Sequence, residues 1–120
     1  MITWHGFSDP SIIPQGTILY YDRVVKFFGE SYSDVQQFYR LFMAPGVGHC
    51  GGGAAPQPQN LFQAVVNWVE RNQAPDRILA SQSLSDGAIR TRPLCPYPAF
   101  AKYMGRGSTD DAANFDCAVQ

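Results

Sequence analysis

Met43-Ala44-Pro45-Gly46-Val47-Gly48-His49-Cys50-Gly51-Gly52-Gly53 places a histidine in a glycine-rich loop directly after an apolar, strand-like run. Upstream, His5-Gly6-Phe7-Ser8-Asp9-Pro10 sets an aspartate in a matching position, just past the strand-like Ile2 to His5. Between the two loops, Pro14 opens a helical segment, where a residue lacking a backbone N–H is well tolerated. Ile18, Tyr21, Val25 and Phe28 fall near one face of it, and Gly29 is its expected stop. Val35 to Phe42, rich in aromatic and aliphatic residues, predicts a second strand. Strand, Asp loop, helix, strand, His loop is an α/β pattern. An open sheet of that class gathers its functional loops at the C-terminal ends of its strands, so Asp9 and His49 can reach one edge.

Working outward, Pro45 to Gln59 reads as a long loop, and Asn60 as the N-cap of a helix through Arg71 with Leu61, Val65, Trp68 and Val69 on its apolar side. Ile78 to Ser83 and Ala88 to Arg92 predict two short strands around Asp86-Gly87, a strong hairpin signal. Pro93 to Gln120, with Pro96, Pro98, Gly105 and Gly107, reads as irregular. The expected organisation is a strand-helix-strand-helix core over 1–75 and a hairpin with a tail over 76–120. No internal repeat is visible.

The chain has 120 residues, 45% hydrophobic and 16% charged, which suits an ordered domain. A net charge of -1 without a basic run argues against nucleic-acid binding, which needs clustered Lys and Arg. No apolar run is long enough to span a bilayer, and no signal-peptide pattern opens the chain. Met1 leads at once into the strand-like Ile2-Thr3-Trp4, a start that suits a fragment of a longer protein and equally a native start codon. Cys95 and Cys117 flank the Pro- and Gly-rich tail, where a disulfide would contribute roughly 3 kcal/mol in the chain-entropy model. Cys50 is then left over, as a free thiol or with a partner outside the segment; three reduced thiols are the alternative.

A hydrolytic triad needs a serine to attack, a histidine to take and return its proton, and a carboxylate to hold the imidazole. His49 and Asp9 have the settings for base and acid. Each also has an ordinary reading: Asp9-Pro10 as a turn, His49 as a loop histidine satisfied by backbone. His5 is expected to be packed or bonded beside the Asp loop, and its nearness to Asp9 makes it a candidate supporting residue. A zinc site from His49, Cys50 and Cys95 or Cys117 lacks ligand spacing, and a Cys50 nucleophile with His5 as base lacks a signature. Gly51-Gly52-Gly53 has no Lys-Ser/Thr ending and reads as backbone freedom rather than a phosphate loop. None of the serines, at 8, 11, 31, 33, 81, 83, 85 and 108, sits in a nucleophile-elbow context.

Three blocks, in order, carry a more specific likeness. His5 to Thr17 resembles the acid-residue loop of the tannase and feruloyl esterase family, and Pro45 to Gly53 resembles its histidine loop. Arg92 to Pro98, Tyr103 to Ser108 and Asp111 to Cys117 resemble its C-terminus. The resemblance implies the C-terminal portion of an α/β-hydrolase fold, with a hairpin and a disulfide-held tail. It implies a secreted or periplasmic serine esterase acting on phenolic-acid esters, with Asp9 as triad acid and His49 as base. It pairs Cys95 with Cys117 and gives Cys50 a partner beside the catalytic serine. That serine's motif, the lid domain and the calcium that family members often bind in the lid have no counterpart in these residues, so no cofactor is expected in this segment.

The leading expectation is therefore the C-terminal part of such an esterase, completed by a region or second chain that carries the serine and a cysteine. The alternative is a non-catalytic module binding a phenolic ligand or a protein, with Trp4, Trp68, Phe7 and Tyr97 as apolar surface. A third reading recruits Ser8 as nucleophile. Strands left without neighbours would expose an edge, so a homo-oligomer is expected of the isolated chain. No nucleic-acid or membrane partner is expected.

Overall fold

A computed structural model describes residues 1–29 and 31–119. Its centre is a parallel pair, β1 (Ile2–Gly6) and β2 (Arg40–Ala44), in the register Ile2 with Arg40 through Gly6 with Ala44. Helix α1 (Pro14–Phe27) and the short α2 (Tyr32–Val35) make the crossover between them. Pro14 lies in the first turn of α1, as expected. Of the anticipated apolar face, Tyr21 and Val25 are buried and Ile18 is half-buried, while Phe28 is exposed.

β2 begins later than the sequence predicts. Ser31 caps α2, its hydroxyl accepting from the Asp34 N–H, and a turn through Phe38 follows before the chain extends at Arg40. The Val35 side chain still reaches the core, but from a helix. Side chains of a strand alternate between faces, and both faces of β2 are covered. Leu41 and Met43 join Tyr21, Val25, Val35 and Tyr39 on the α1 side. Phe42 and Ala44 join Val47, Ile78, Ala80 and Leu94 on the other, with Trp4 packed against them. A run apolar at every position is what a doubly covered parallel strand requires. The Tyr21 hydroxyl, deep in the first cluster, donates to the Tyr39 carbonyl at 3.0 Å. Burial pushes its pKa up to about 12.

The short β3 (Gln57–Pro58) pairs with β4 (Ile78–Ser83), which forms the expected hairpin with β5 (Ile89–Leu94). Between them, α3 (Leu61–Arg71) has the expected bounds but not the expected cap. Asn60 adopts a left-handed backbone, φ 54°, and its side chain makes no capping hydrogen bond. The helix is also poorly covered: Leu61 and Ala64 touch the second cluster, the Arg40 guanidinium lies 5.4 Å from the Trp68 ring, and Phe62 and Val69 are exposed.

The tail is not irregular. Phe100–Tyr103 (β6) and Phe115–Ala118 (β7) form an antiparallel pair, preceded by a 3-10 turn at Ala112–Asn114 that Asp111 caps. A disulfide joins Cys95, just after β5, to Cys117 in β7, with Cα atoms 5.6 Å apart. Pro96 bridges to Phe42, and the Tyr97 N–H donates to the Leu41 carbonyl at 2.8 Å. The tail thus covers the edge of β2 that β1 does not use.

Candidate active site

β1 and β2 end side by side, and their loops continue in contact. The Phe7 N–H donates to the Ala44 carbonyl at 2.9 Å, and the Ser8 N–H to the Val47 carbonyl at 3.0 Å. This approach requires Gly6, because a Cβ there would lie 2.2 Å from the Val47 carbonyl oxygen. The histidine loop folds back on itself through a bridge between Val47 and Gly53. Gly53 has a φ of +92°, a left-handed conformation that glycine adopts freely. Gln57 braces the loop by donating to the carbonyls of Gly52 and Ala55.

At this junction Asp9 meets both histidines. Its Oδ1 accepts the N–H groups of Ser11 at 2.8 Å and Ile12 at 3.0 Å. Its Oδ2 lies 2.8 Å from His49 Nδ1 and 3.0 Å from His5 Nε2. The Asp9 side chain is 1% exposed and that of His49 46%. Desolvation alone would raise the Asp9 pKa. The hydrogen bonds from Ile12, His49, Ser11 and His5 override it and hold the carboxyl well below the usual carboxylate range. An ionised carboxylate only accepts, so each ring presents an N–H to it. A neutral His49 with its proton on Nδ1 keeps a lone pair on Nε2, which has no hydrogen-bond partner among the described residues. The pair can therefore take up a proton from an incoming group and stabilise the resulting imidazolium.

The loops thus bring together Asp9 and His49, which the sequence singles out, with His5 beside them. The sequence does not single out Thr17; its Oγ1 sits 2.6 Å from His5 Nδ1 across the start of α1. Only its position one turn past Pro14 could have signalled it. No serine hydroxyl is hydrogen-bonded to either histidine among the described residues. Ser8 lies in the turn after β1 rather than at a strand-to-helix elbow. Cys50 is exposed and unpaired among the described residues, and with Cys95 tied to Cys117 the paper zinc site loses its third ligand. No cluster of three His, Cys, Asp or Glu able to hold a metal occurs among the described residues. No helix is long and apolar enough to cross a membrane.

An apolar cavity of about 480 Å³ lies to one side, lined among others by Phe7, Met43, Tyr97, Phe100 and Phe115. Of the four aromatic residues expected to offer ligand surface, it uses Phe7 and Tyr97. Trp4 packs on the second core cluster, and Trp68 sits against Arg40.

Comparison with known proteins agrees with this architecture. The chain is 41% identical over 99% of its length to mono(2-hydroxyethyl) terephthalate hydrolase of Piscinibacter sakaiensis, covering 20% of that protein. It is 39% identical over 98% of its length to a probable feruloyl esterase of Arthroderma benhamiae, covering 22% of it. The solved structure of feruloyl esterase B from Aspergillus oryzae superposes with a TM-score of 0.88 at 28% identity, matching 98% of this chain and 26% of that one. The chain spans only about a fifth to a quarter of these relatives. With the profile described as tannase and feruloyl esterase matching residues 1–118, the chain belongs to that family.

Proposed function

We propose that this chain is the C-terminal part of the α/β-hydrolase domain of a serine carboxylic-ester hydrolase. It supplies the acid and base of a triad whose serine lies outside these residues. The observation that carries this reading is the 2.8 Å contact between a covered Asp9 carboxylate and a half-exposed His49 whose Nε2 has no partner among the described residues. In the reaction the serine Oγ attacks the ester carbonyl while His49 Nε2 takes its proton. His49 then protonates the departing alcohol, and a water activated by the same nitrogen releases the acid. Asp9 fixes the Nδ1–H tautomer and stabilises the imidazolium throughout. These two roles call for no cofactor from this segment.

The substrate class is phenolic-acid esters, a reading supported by relatives named as feruloyl esterases and by a structural neighbour named tannin acyl hydrolase. Cys50, exposed and one residue from the base, would pair with a cysteine beside the serine and tie base to nucleophile. The Cys95–Cys117 bridge supports a secreted or periplasmic location, where disulfides persist.

The test joins a fluorophosphonate probe, read by intact mass, to assays on methyl ferulate and methyl gallate. This chain alone should take up no probe and turn over neither ester. A longer form carrying the serine should do both, and His49→Ala in it should abolish turnover. A probe adduct on this chain, at Ser8 or elsewhere, would sink the missing-nucleophile reading. The cavity beside Phe7 and Tyr97 keeps a second reading open to test, a ligand-binding module: saturable binding of ferulate esters by this chain without turnover in any form would favour it.

A further inference from the structure

We propose that His5 is a positioning residue for the Asp9–His49 pair, donating its Nε2–H to Asp9 Oδ2 while Thr17 anchors the far side of its ring. This rests on the acid–base reading of that pair. Asp9 holds four donors, and the division between its oxygens is informative. Oδ1 is fixed by two backbone N–H groups of its own loop. Oδ2, the oxygen that meets His49, is shared with His5.

The two rings differ in how they are held. His5 stands on β1, is 11% exposed, and is tied by Thr17 to α1. His49 rides a glycine-rich loop and is far more open. The carboxylate oxygen that orients the open ring therefore takes its own direction from the covered one. Because ionised Asp9 accepts only, His5 Nε2 bears the proton. In a neutral ring Nδ1 then accepts the Thr17 hydroxyl proton, which leaves every polar atom of His5 satisfied. Asp9 is the only charged group hydrogen-bonded to His5 among the described residues. Without His5, Oδ2 keeps one donor, the carboxylate is held from its Oδ1 side alone, and the bias of His49 toward its Nδ1–H tautomer weakens. A misplacement of about 1 Å in a reacting group can cost about 100-fold in rate.

The chain carries only two histidines, so 15N-histidine labelling resolves both rings. At pH 8 His5 should bear its proton on Nε2 and His49 on Nδ1. His5→Gln keeps an amide N–H near the Nε2 position and should preserve the His49 tautomer. His5→Leu fills similar space without a donor and should shift His49 toward the Nε2–H form. Thr17→Val should shift it in the same sense, with Thr17→Ser restoring it, so the second pair decides if His5→Leu fails to fold by circular dichroism. In a form that carries the nucleophile, His5→Leu should lower kcat by about 10- to 100-fold with KM little changed. An unprotonated His5 Nε2, or a His49 tautomer indifferent to folded His5→Leu and Thr17→Val, would overturn the proposal. The tautomers are read without any esterase turnover. A longer form carrying the serine that shows these shifts yet turns over neither ester would refute the hydrolase reading and leave this one standing.

Discussion

Asp9 concentrates the site in one side chain. Asp9→Asn keeps the size but offers an N–H where His49 also presents one, so the imidazole turns to its other tautomer. In a form carrying the nucleophile, kcat should fall by about 10⁴ with little change in fold, measured on methyl ferulate with circular dichroism as control. The depressed pKa of Asp9 also sets a pH dependence. Its folded value lies below its unfolded value, so the stabilisation it gives is complete above the ordinary carboxylate range, near about 4, and is lost as pH falls through the folded value. Acid titration of the melting temperature should therefore show wild type losing ground below about pH 4 relative to Asp9→Asn, which lacks this group. A parallel decline in both proteins would deny the linkage. Gly6 packs directly against the Val47 carbonyl of the histidine loop, and Gly6→Ala should separate the two loops. The 15N signal of His49 should lose its Nδ1–H character even though no polar group has been removed.

β2 is the strand on which both core clusters meet. Phe42→Ala empties a fully buried site on the second of them and should cost about 3–5 kcal/mol in urea denaturation, against near-neutrality for Phe62→Ala on the exposed face of α3. Reducing the Cys95–Cys117 bridge, or replacing both cysteines with serine, should cost about 3 kcal/mol and free β7 from the end of β5. Much of this was legible in the sequence. The Asp and His loops, α1 behind Pro14, and the β4–β5 hairpin at Asp86-Gly87 all announce themselves by local pattern and turn chemistry. What was not legible depends on distant partners. β6 and β7 are four residues each, and they pair because the disulfide and the turn capped by Asp111 bring them together. The apolar character of Val35 suits a strand or a helix alike, and the Ser31 cap decides for a helical turn. Thr17 has no signal beyond its place one turn past Pro14, since its role exists only once α1 lies beside the end of β1.

Among the described residues, the chain leaves a sheet edge at β1 and a helix face on α3 without cover. β1 is paired on one side only among the described residues, and Phe62 and Val69 stand exposed on α3. Such surfaces seek company. In isolation the chain should sediment as a self-associated species at high concentration, and a monomer there would contradict the expectation. The tail limits how far association goes. Pro96 and Tyr97 occupy the outer edge of β2, and Pro96 has no N–H to offer a newcomer. The sheet can therefore be extended from β1 alone. Two copies meeting through their β1 edges satisfy each other and leave this sheet no edge for a third, so assembly through the parallel pair closes at two instead of growing into a fibre.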